Sequence, residues 1–155
     1  LERKYIMELN VNYVRDILLY LENKIGVKRK GTPPEFRLVP VTLIEMLDSE
    51  ELSKIPGEDI TYTLLKLNEA KYIIITDKTP VAGRGISNFS VIDITYKGHK
   101  FLNTIKPDTI WEKTQKTIGK VGNHTLEYAE DVAKTIAVET AKIATMTYFN
   151  KTGQA

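Results

Sequence analysis

The side chains best suited to acid–base chemistry in this sequence are its two histidines, His99 and His124. Histidine is the side chain that most often acts as a general base near neutral pH. A catalytic role would also need a nucleophile within hydrogen-bond reach and a group that orients the ring. The sequence contains no G-x-S-x-G motif, and "AGRGIS" lacks the lysine and spacing of a phosphate-binding P-loop. We therefore predict no catalytic residue, no cofactor site and no enzymatic activity.

A metal site is disfavoured by the number and type of candidate ligands. There is no cysteine, which excludes a disulfide framework, a cysteine-ligated zinc ion and a thiol nucleophile. Two histidines alone make a weak zinc site, because structural zinc takes four ligands. The carboxylates of "VTLIEMLDSEELSKI" do not have the spacing of a calcium loop, which favours a solvated helix face. His99 is expected to be structural, with its ring bonded to a backbone carbonyl, and His124 to lie on the surface.

Basic side chains are concentrated in a few stretches, although the formal net charge is only +2. "VKRKGTPPEFR" is predicted to be a basic loop, because a glycine and two prolines follow its cations. In "DKTPVAGRG", Gly83 and Gly85 flank Arg84, and a flexible arginine suits a phosphate or the narrow minor groove of DNA. A third stretch, 97–120, holds six lysines. Each stretch has the alternative interpretation of a solvated surface, which is common on nearly neutral proteins.

The composition indicates a folded chain of about one domain. The sequence has 155 residues, and 42% of them are hydrophobic, which is enough for one core. No apolar run approaches the roughly 18 residues of a membrane helix. The start, "LERKYIMELN", is charged and lacks the apolar segment of a signal peptide. We therefore expect a cytoplasmic protein with no membrane partner.

Hydrophobic periodicity places the elements of the first two thirds of the chain. "VNYVRDILLYLENKIG" has apolar residues at every third or fourth position, which predicts an amphipathic helix with Asn10 as its N-cap. One or two short helices are predicted within 41–55, and another helix covers 58–70. "YIIIT" and "ISNFSVIDIT" are β-rich, and the loop between them predicts a β-hairpin.

Helices are predicted again after the second strand. "YKGHKFLNTI" precedes Pro107, and Asp108 is expected to cap a helix that buries Trp111. The last helix covers about residues 124–146, and residues 147–155 are predicted to be a loose tail. Its apolar and small residues form a seam with three- and four-residue spacing: Leu126, Ala129, Ala133, Ile136, Thr140 and Ile143. The seam suits either another helix of the chain or a second copy, which would give a homodimer.

Three helices followed by a β-hairpin is the plan of a winged helix. We predict an α+β fold, with a winged helix-turn-helix-like domain in 1–106 and C-terminal helices in 107–146. In helix-turn-helix proteins the recognition helix enters the major groove, which here would be 58–70, with a wing at 77–88. The candidate DNA-binding residues are Lys28, Arg29, Lys30, Tyr62, Lys66, Lys78 and Arg84. The carboxylates of Glu58 and Asp59, which open this helix, are an argument against phosphate approaching there.

Several segments resemble one family, DUF2513, which comprises uncharacterised small proteins of bacteria, phages and prophages. The resemblance rests on "MELNVNYVRDILLYLE", "TYTLLKLNEAKYI", "ITYKGHKFLNTIKPDTIWEKTQ" and the final helix. The family often has a histidine at Thr63, a glycine at Lys71 and a tryptophan at Tyr96. Loss of the glycine leaves the end of the third helix without its usual left-handed cap. The resemblance implies a winged-helix-like domain from a mobile element, and it implies no catalytic residue.

These observations favour a non-enzymatic winged-helix protein that binds double-stranded DNA, with regulation in a phage or prophage as one role. The alternative is a protein–protein interaction module, because winged helices serve both purposes and a fold does not fix a function. In that alternative Tyr62, Leu65 and the last helix would be contact surface.

The candidate wing gives a first testable prediction. If the wing contacts DNA, Lys78→Glu combined with Arg84→Glu should weaken binding to all sequences and flatten its salt dependence, because phosphate contacts are lost. A gel-shift series at several salt concentrations measures both effects. If the affinity and its salt dependence are unchanged, the wing does not contact DNA.

Overall fold

A computed structural model describes residues 7–76, 79–80 and 86–153. Within these residues the chain has six helices and three small antiparallel sheets, so the predicted α+β class is confirmed. The contacts between residues divide the chain into two compact units, Leu1–Leu102 and Asn103–Ala155.

Helix α1, Val11–Lys24, supplies the largest apolar face of the first unit. Its buried aliphatic residues have the predicted helical spacing: Val11, Val14, Ile17, Leu18 and Leu21. The side chain of Asn10 accepts a hydrogen bond from the Asn12 N–H at 3.0 Å, which satisfies one of the free donors of the first turn. The predicted helix and its N-cap are confirmed.

A β-hairpin follows α1 where the sequence predicted a basic loop, so that prediction is wrong. Strand β1, Gly26–Lys30, pairs antiparallel with β2, Glu35–Val39. Gly31 turns the chain with a φ of +80°, a conformation that glycine adopts without steric cost. All of β1 and most of β2 are exposed. Because neither face is buried, the hydrophobic pattern across the two strands is weak, and Gly31 and the two prolines dominated the sequence signal.

The central sheet of the first unit has three short antiparallel strands in the order β3–β7–β4. They are β3 (Val41–Thr42), β4 (Ile73–Ile75) and β7 (Ser90–Ile94). Val41 lies opposite Val91 and Ile73 opposite Ile94, and all four side chains are buried. A separate pair, β5 (Thr79–Pro80) and β6 (Ile86–Asn88), lies between β4 and β7 in sequence. The single strand predicted for "ISNFSVIDIT" is therefore two strands.

Helices α2 (Leu43–Leu47) and α3 (Gly57–Glu69) come between β3 and β4. The buried face of α3 consists of Ile60, Thr63, Leu64 and Leu67, which is the face that the sequence predicts. Turns join the two helices, and Leu52 and Ile55 within them are buried. The core of this unit is thus formed by α1, α3 and one face of the small sheet.

The corner between α3 and β4 is fixed by helix α4, Tyr96–Ile105. Lys71 occupies this corner with a φ of +66°, the left-handed conformation, although it is not glycine. Gly98 of α4 lies against the backbone of Tyr72, and the Tyr72 ring packs on Phe101 with 5.3 Å between ring centroids. The "GHKFL" segment therefore brings a helix into direct contact with the chain at this corner.

The second unit contains α5, Asp108–Val121, and α6, Leu126–Thr152, which pack on each other. Trp111 is 6% exposed, as predicted. The N-cap of α5 is Pro107, so Asp108 is the first residue of the helix and the prediction that it caps is wrong. Helix α6 continues to Thr152, where the sequence predicted a loose tail.

The predicted seam of α6 is buried only in its first half. Leu126, Ala129 and Ala133 are buried, whereas Ile143 is exposed. All residues from 141 to 152 are exposed. The reason is length, because α5 has 14 residues and α6 has 27, so α6 extends past its partner by about 20 Å at 1.5 Å per residue.

The described residues contain no helix with the length and apolar composition needed to cross a membrane.

The close approach at Gly98 leads to a prediction about stability. A Cβ atom at Gly98 would overlap the Tyr72 carbonyl oxygen and lie 2.8 Å from the Ile94 side chain. Gly98→Ala should therefore lower the free energy of unfolding by roughly 1–3 kcal/mol or more, the cost of overpacking a core. Chemical denaturation measures this change.

Gly119, in α5, is the matched control, because a Cβ there would meet nothing within 4 Å. Gly119→Ala should stabilise the protein by up to about 1 kcal/mol, since alanine is the better helix former. Equal effects of the two substitutions would contradict a steric role for Gly98.

Candidate nucleic-acid interface

The β1–β2 hairpin presents the first three candidate residues, Lys28, Arg29 and Lys30, in one exposed strand. Cross-strand pairs place Lys28 opposite Arg37 and Lys30 opposite Glu35. Because side chains alternate between the faces of a strand, Lys28, Lys30 and Arg37 share one face with Glu35. We call this the basic face of the hairpin.

The charges of the basic face are only partly compensated. Arg37 donates to Glu35 at 3.1 Å between two exposed side chains. Within the part of the chain that the structure describes, Lys28 and Lys30 make no ion pair. Like charges directly opposite each other destabilise a hairpin, so the facing Lys28 and Arg37 disfavour this ribbon unless an anion binds between them.

The other face of the hairpin is apolar apart from Arg29. Val27, Phe36 and Leu38 lie on it, and Phe36 is 67% exposed. At its base, Val27 and Leu38 line a groove of about 160 Å³. We call this the apolar face of the hairpin.

Helix α3 carries two further candidates, Tyr62 and Lys66, and the structure brings them together. The Lys66 Nζ lies 5.4 Å from the centre of the Tyr62 ring and 3.0 Å from a carboxylate oxygen of Glu69. The hydrogen bond to Glu69 raises the pKa of Lys66. The cation of Lys66 is therefore already paired within its own helix.

The surface of α3 is acidic overall. Glu58 and Asp59 lie in its first turn, where they suit the helix dipole, and Glu69 lies at its end. Three carboxylates against one lysine do not attract phosphate. Tyr62 and Leu65, which the sequence analysis placed on the exposed face, are only partly exposed.

The two wing candidates, Lys78 and Arg84, lie outside the described residues, and their role stays a prediction. Strands β5 and β6, which border this stretch, pair antiparallel, with Thr79 opposite Asn88.

His99, in α4, lies near the small sheet of the first unit. His99 is exposed in α4 and borders the 160 Å³ groove together with Glu22 and Asp93. Among residues 7–76, 79–80 and 86–153, no group of three or more histidine, aspartate or glutamate side chains could hold a metal ion.

Sequence reasoning missed Arg37 and Phe36 as members of the candidate site. "EFRLV" alternates polar and apolar residues, and a four-residue segment containing Gly31 separates it from "VKRK". This alternation and spacing are a signal of a hairpin, but the alternation is confined to the second strand and does not fix which cations face each other.

The family profile described as "Hypothetical protein (DUF2513)" matches residues 8–124. No curated protein and no solved structure matches the chain. The matched segment ends before α6, so the final helix, which the sequence analysis included in the resemblance, lies outside it. Since the match covers most of the chain, from the start of α1 to the end of α5, the protein belongs to the DUF2513 family.

Proposed function

We propose that this protein binds double-stranded DNA through a winged-helix domain in its first unit, with the β1–β2 hairpin as the main contact to phosphate. The observation that carries the proposal is the basic face of the hairpin, an exposed ribbon whose lysines have no ion-pair partner among the described residues. The phosphate backbone supplies most of the affinity of such an interface, so unpaired cations on an exposed element are the expected feature. A regulatory role in a phage or prophage is part of this proposal and rests on the resemblance alone.

The winged-helix assignment is supported by the order of elements and by the sheet. Helix α1, strand β3, helices α2 and α3, and strands β4 and β7 follow one another in that order, with β7 central in the antiparallel sheet. Strands β5 and β6 occupy the place of a wing between β4 and β7. In this scheme the β1–β2 hairpin is an insertion between the first helix and the first strand.

The hairpin is a better candidate for the principal contact than α3. B-DNA's major groove is about 12 Å wide and admits either an α-helix or a two-stranded ribbon. The ribbon carries four cations and one carboxylate, whereas α3 carries one paired lysine and three carboxylates. The hairpin is therefore positively charged and α3 is negatively charged, so electrostatic attraction to phosphate favours the hairpin.

A protein partner is the second candidate function, and the apolar face of the hairpin favours it. Exposed apolar patches bordered by polar residues often mark protein interaction sites. Substitution of Phe36 distinguishes the two functions, since Phe36→Ser removes the most exposed hydrophobic side chain of the apolar face and leaves every cation in place. Duplex binding that survives Phe36→Ser unchanged supports phosphate recognition by the basic face.

The test of the main proposal is binding to a random-sequence DNA duplex, measured by fluorescence anisotropy at several salt concentrations. Each phosphate contact contributes about −0.9 to the slope of the logarithm of the binding constant against the logarithm of the salt concentration. Lys28→Gln with Lys30→Gln should therefore make this slope less steep by about two. Lys113→Gln with Lys116→Gln, two exposed lysines of α5, is the control with the same loss of charge. Equal losses in both pairs, or no binding at low salt, would contradict the proposal.

The role of α3 has its own prediction. Glu69→Gln removes the partner of Lys66 and one negative charge, so duplex affinity should rise a few-fold if α3 faces DNA. Anisotropy under the same conditions measures it. An unchanged affinity, together with a weakened Lys28→Gln/Lys30→Gln protein, would leave the hairpin as the contact and place α3 away from DNA.

A further inference from the structure

Helix α6 has a second stripe of residues besides the seam that packs on α5. Successive members are four and three residues apart, which keeps them on one side of the helix in the heptad pattern of coiled coils. The members, which we call the outer stripe, are Tyr128, Val132, Thr135, Glu139, Lys142, Met146 and Phe149.

The first part of the outer stripe borders a groove. Helices α5 and α6 form an apolar groove of about 360 Å³, to which Tyr128, Val132 and Thr135 contribute. Thr117 lines it from α5. The groove is open and mostly apolar, so it suits aromatic or aliphatic side chains of another helix.

The last part of the outer stripe lies where α6 extends beyond α5. Met146 and Phe149 are 65% and 64% exposed. Two large apolar side chains one turn apart on a projecting helix are the kind of exposed surface that marks an interaction site. Among the described residues, no side chain fills the groove and no surface covers the projecting end.

Two residues of opposite charge lie between these parts. Glu139 and Lys142 are both exposed, and they are the only charged residues of α6 between Lys134 and Lys151. The centre of the stripe therefore carries one negative charge followed by one positive charge, and both of its ends are apolar. A surface of this kind is complementary to itself when two copies run in opposite directions.

We propose that α6 pairs with a second copy of this chain, antiparallel and about a two-fold axis, through the outer stripe. When Glu139 lies opposite the partner's Lys142, the same register sets Thr135 opposite the partner's Met146. It also sets Val132 opposite the partner's Phe149. The side chains of the projecting end thereby enter the groove of the other copy, and the two-fold axis repeats every contact.

The self-complementary charge order identifies a second copy as the occupant. A two-fold interface uses the same surface on both subunits, so each contact must be matched by its reverse. One glutamate and one lysine three residues apart satisfy this requirement with two interchain pairs. The stripe from Tyr128 to Phe149 spans about 32 Å, at 1.5 Å per residue, so it is long enough for a modest helical interface.

The test is the mass of the full chain, without DNA, measured by sedimentation equilibrium over a dilution series. A reversible monomer–dimer equilibrium is expected. Glu139→Lys alone, and Lys142→Glu alone, should each weaken the dimer about tenfold, because two attractive pairs become repulsive by symmetry. The double variant Glu139→Lys/Lys142→Glu restores opposite charges across the axis and should return the dimer to the wild-type constant.

An apolar variant and its control complete the test. Phe149→Ala should weaken the dimer by at least about tenfold, since a buried aromatic anchor is lost. Ile143→Ala is the control, because Ile143 is 66% exposed but lies outside the outer stripe, about 120° around the helix from Phe149. Circular dichroism confirms that each variant keeps its helices.

Three results would overturn the proposal. One is a mass of a single chain at every concentration. The second is a double charge variant that stays as weak as the single variants, which would mean that Glu139 and Lys142 do not face each other. The third is an equal effect of Ile143→Ala and Phe149→Ala, which would indicate unspecific apolar association.

Discussion

The first unit depends on the contact between the backbone of Tyr72 and the first turn of α4. The Tyr72 N–H donates to the Leu67 carbonyl at 2.9 Å, and its own carbonyl accepts from the Thr95 N–H at 3.0 Å. The backbone of Tyr72 is therefore bonded to the last part of α3 and to the residue that precedes α4, and it directly precedes β4. Since Tyr72 is fully buried and Gly98 lies against its carbonyl, only a residue without a side chain fits at that point of the helix. The position of the sheet relative to α3 follows from this contact.

The same corner contains backbone strain that other contacts hold in place. A left-handed conformation costs a residue other than glycine roughly 1–2 kcal/mol, and Lys71 adopts it. The Thr95 hydroxyl donates to the Lys71 carbonyl at 2.6 Å, and the Lys97 ammonium donates to the Ala70 carbonyl at 3.3 Å. The Lys97 ammonium also lies 4.7 Å from the centre of the Tyr72 ring. This chain makes the left-handed turn without a glycine, and these contacts from the start of α4 hold it.

Much of the fold was predictable because its helices bury one face. The spacing of apolar residues in α1 and α3 identified both their extent and their inner sides. The hairpin was not predictable in the same way, since side chains that face water on both sides leave no strong period across its two strands. The end of α6 was misjudged for a related reason. Its apolar residues lie all around the helix, so the sequence "TYFNKT" gave no amphipathic signal.

The sequence identified several cations of the candidate site, but not which side chains they face. The sequence located Lys28, Arg29 and Lys30, but their strand partner, Arg37, became apparent only with the register of the hairpin. For Lys66 the spacing to Glu69 was visible, yet whether the lysine reaches that carboxylate or solvent depends on its rotamer. Charges within one turn of a helix can pair or diverge, and only the side-chain geometry decides between them.

The exposure of the hairpin separates the chemistry of its surface from the stability of the fold. Core residues such as Tyr72 and Gly98 tolerate little change, because each is packed against several neighbours. Most side chains of β1 and β2 touch mainly water, so their replacement alters the surface and leaves the free energy of unfolding nearly unchanged. Descendants of one ancestral chain can therefore exchange the charges and apolar groups of this ribbon freely. The scaffold is then inherited, while the surface that the ribbon presents is open to rapid divergence.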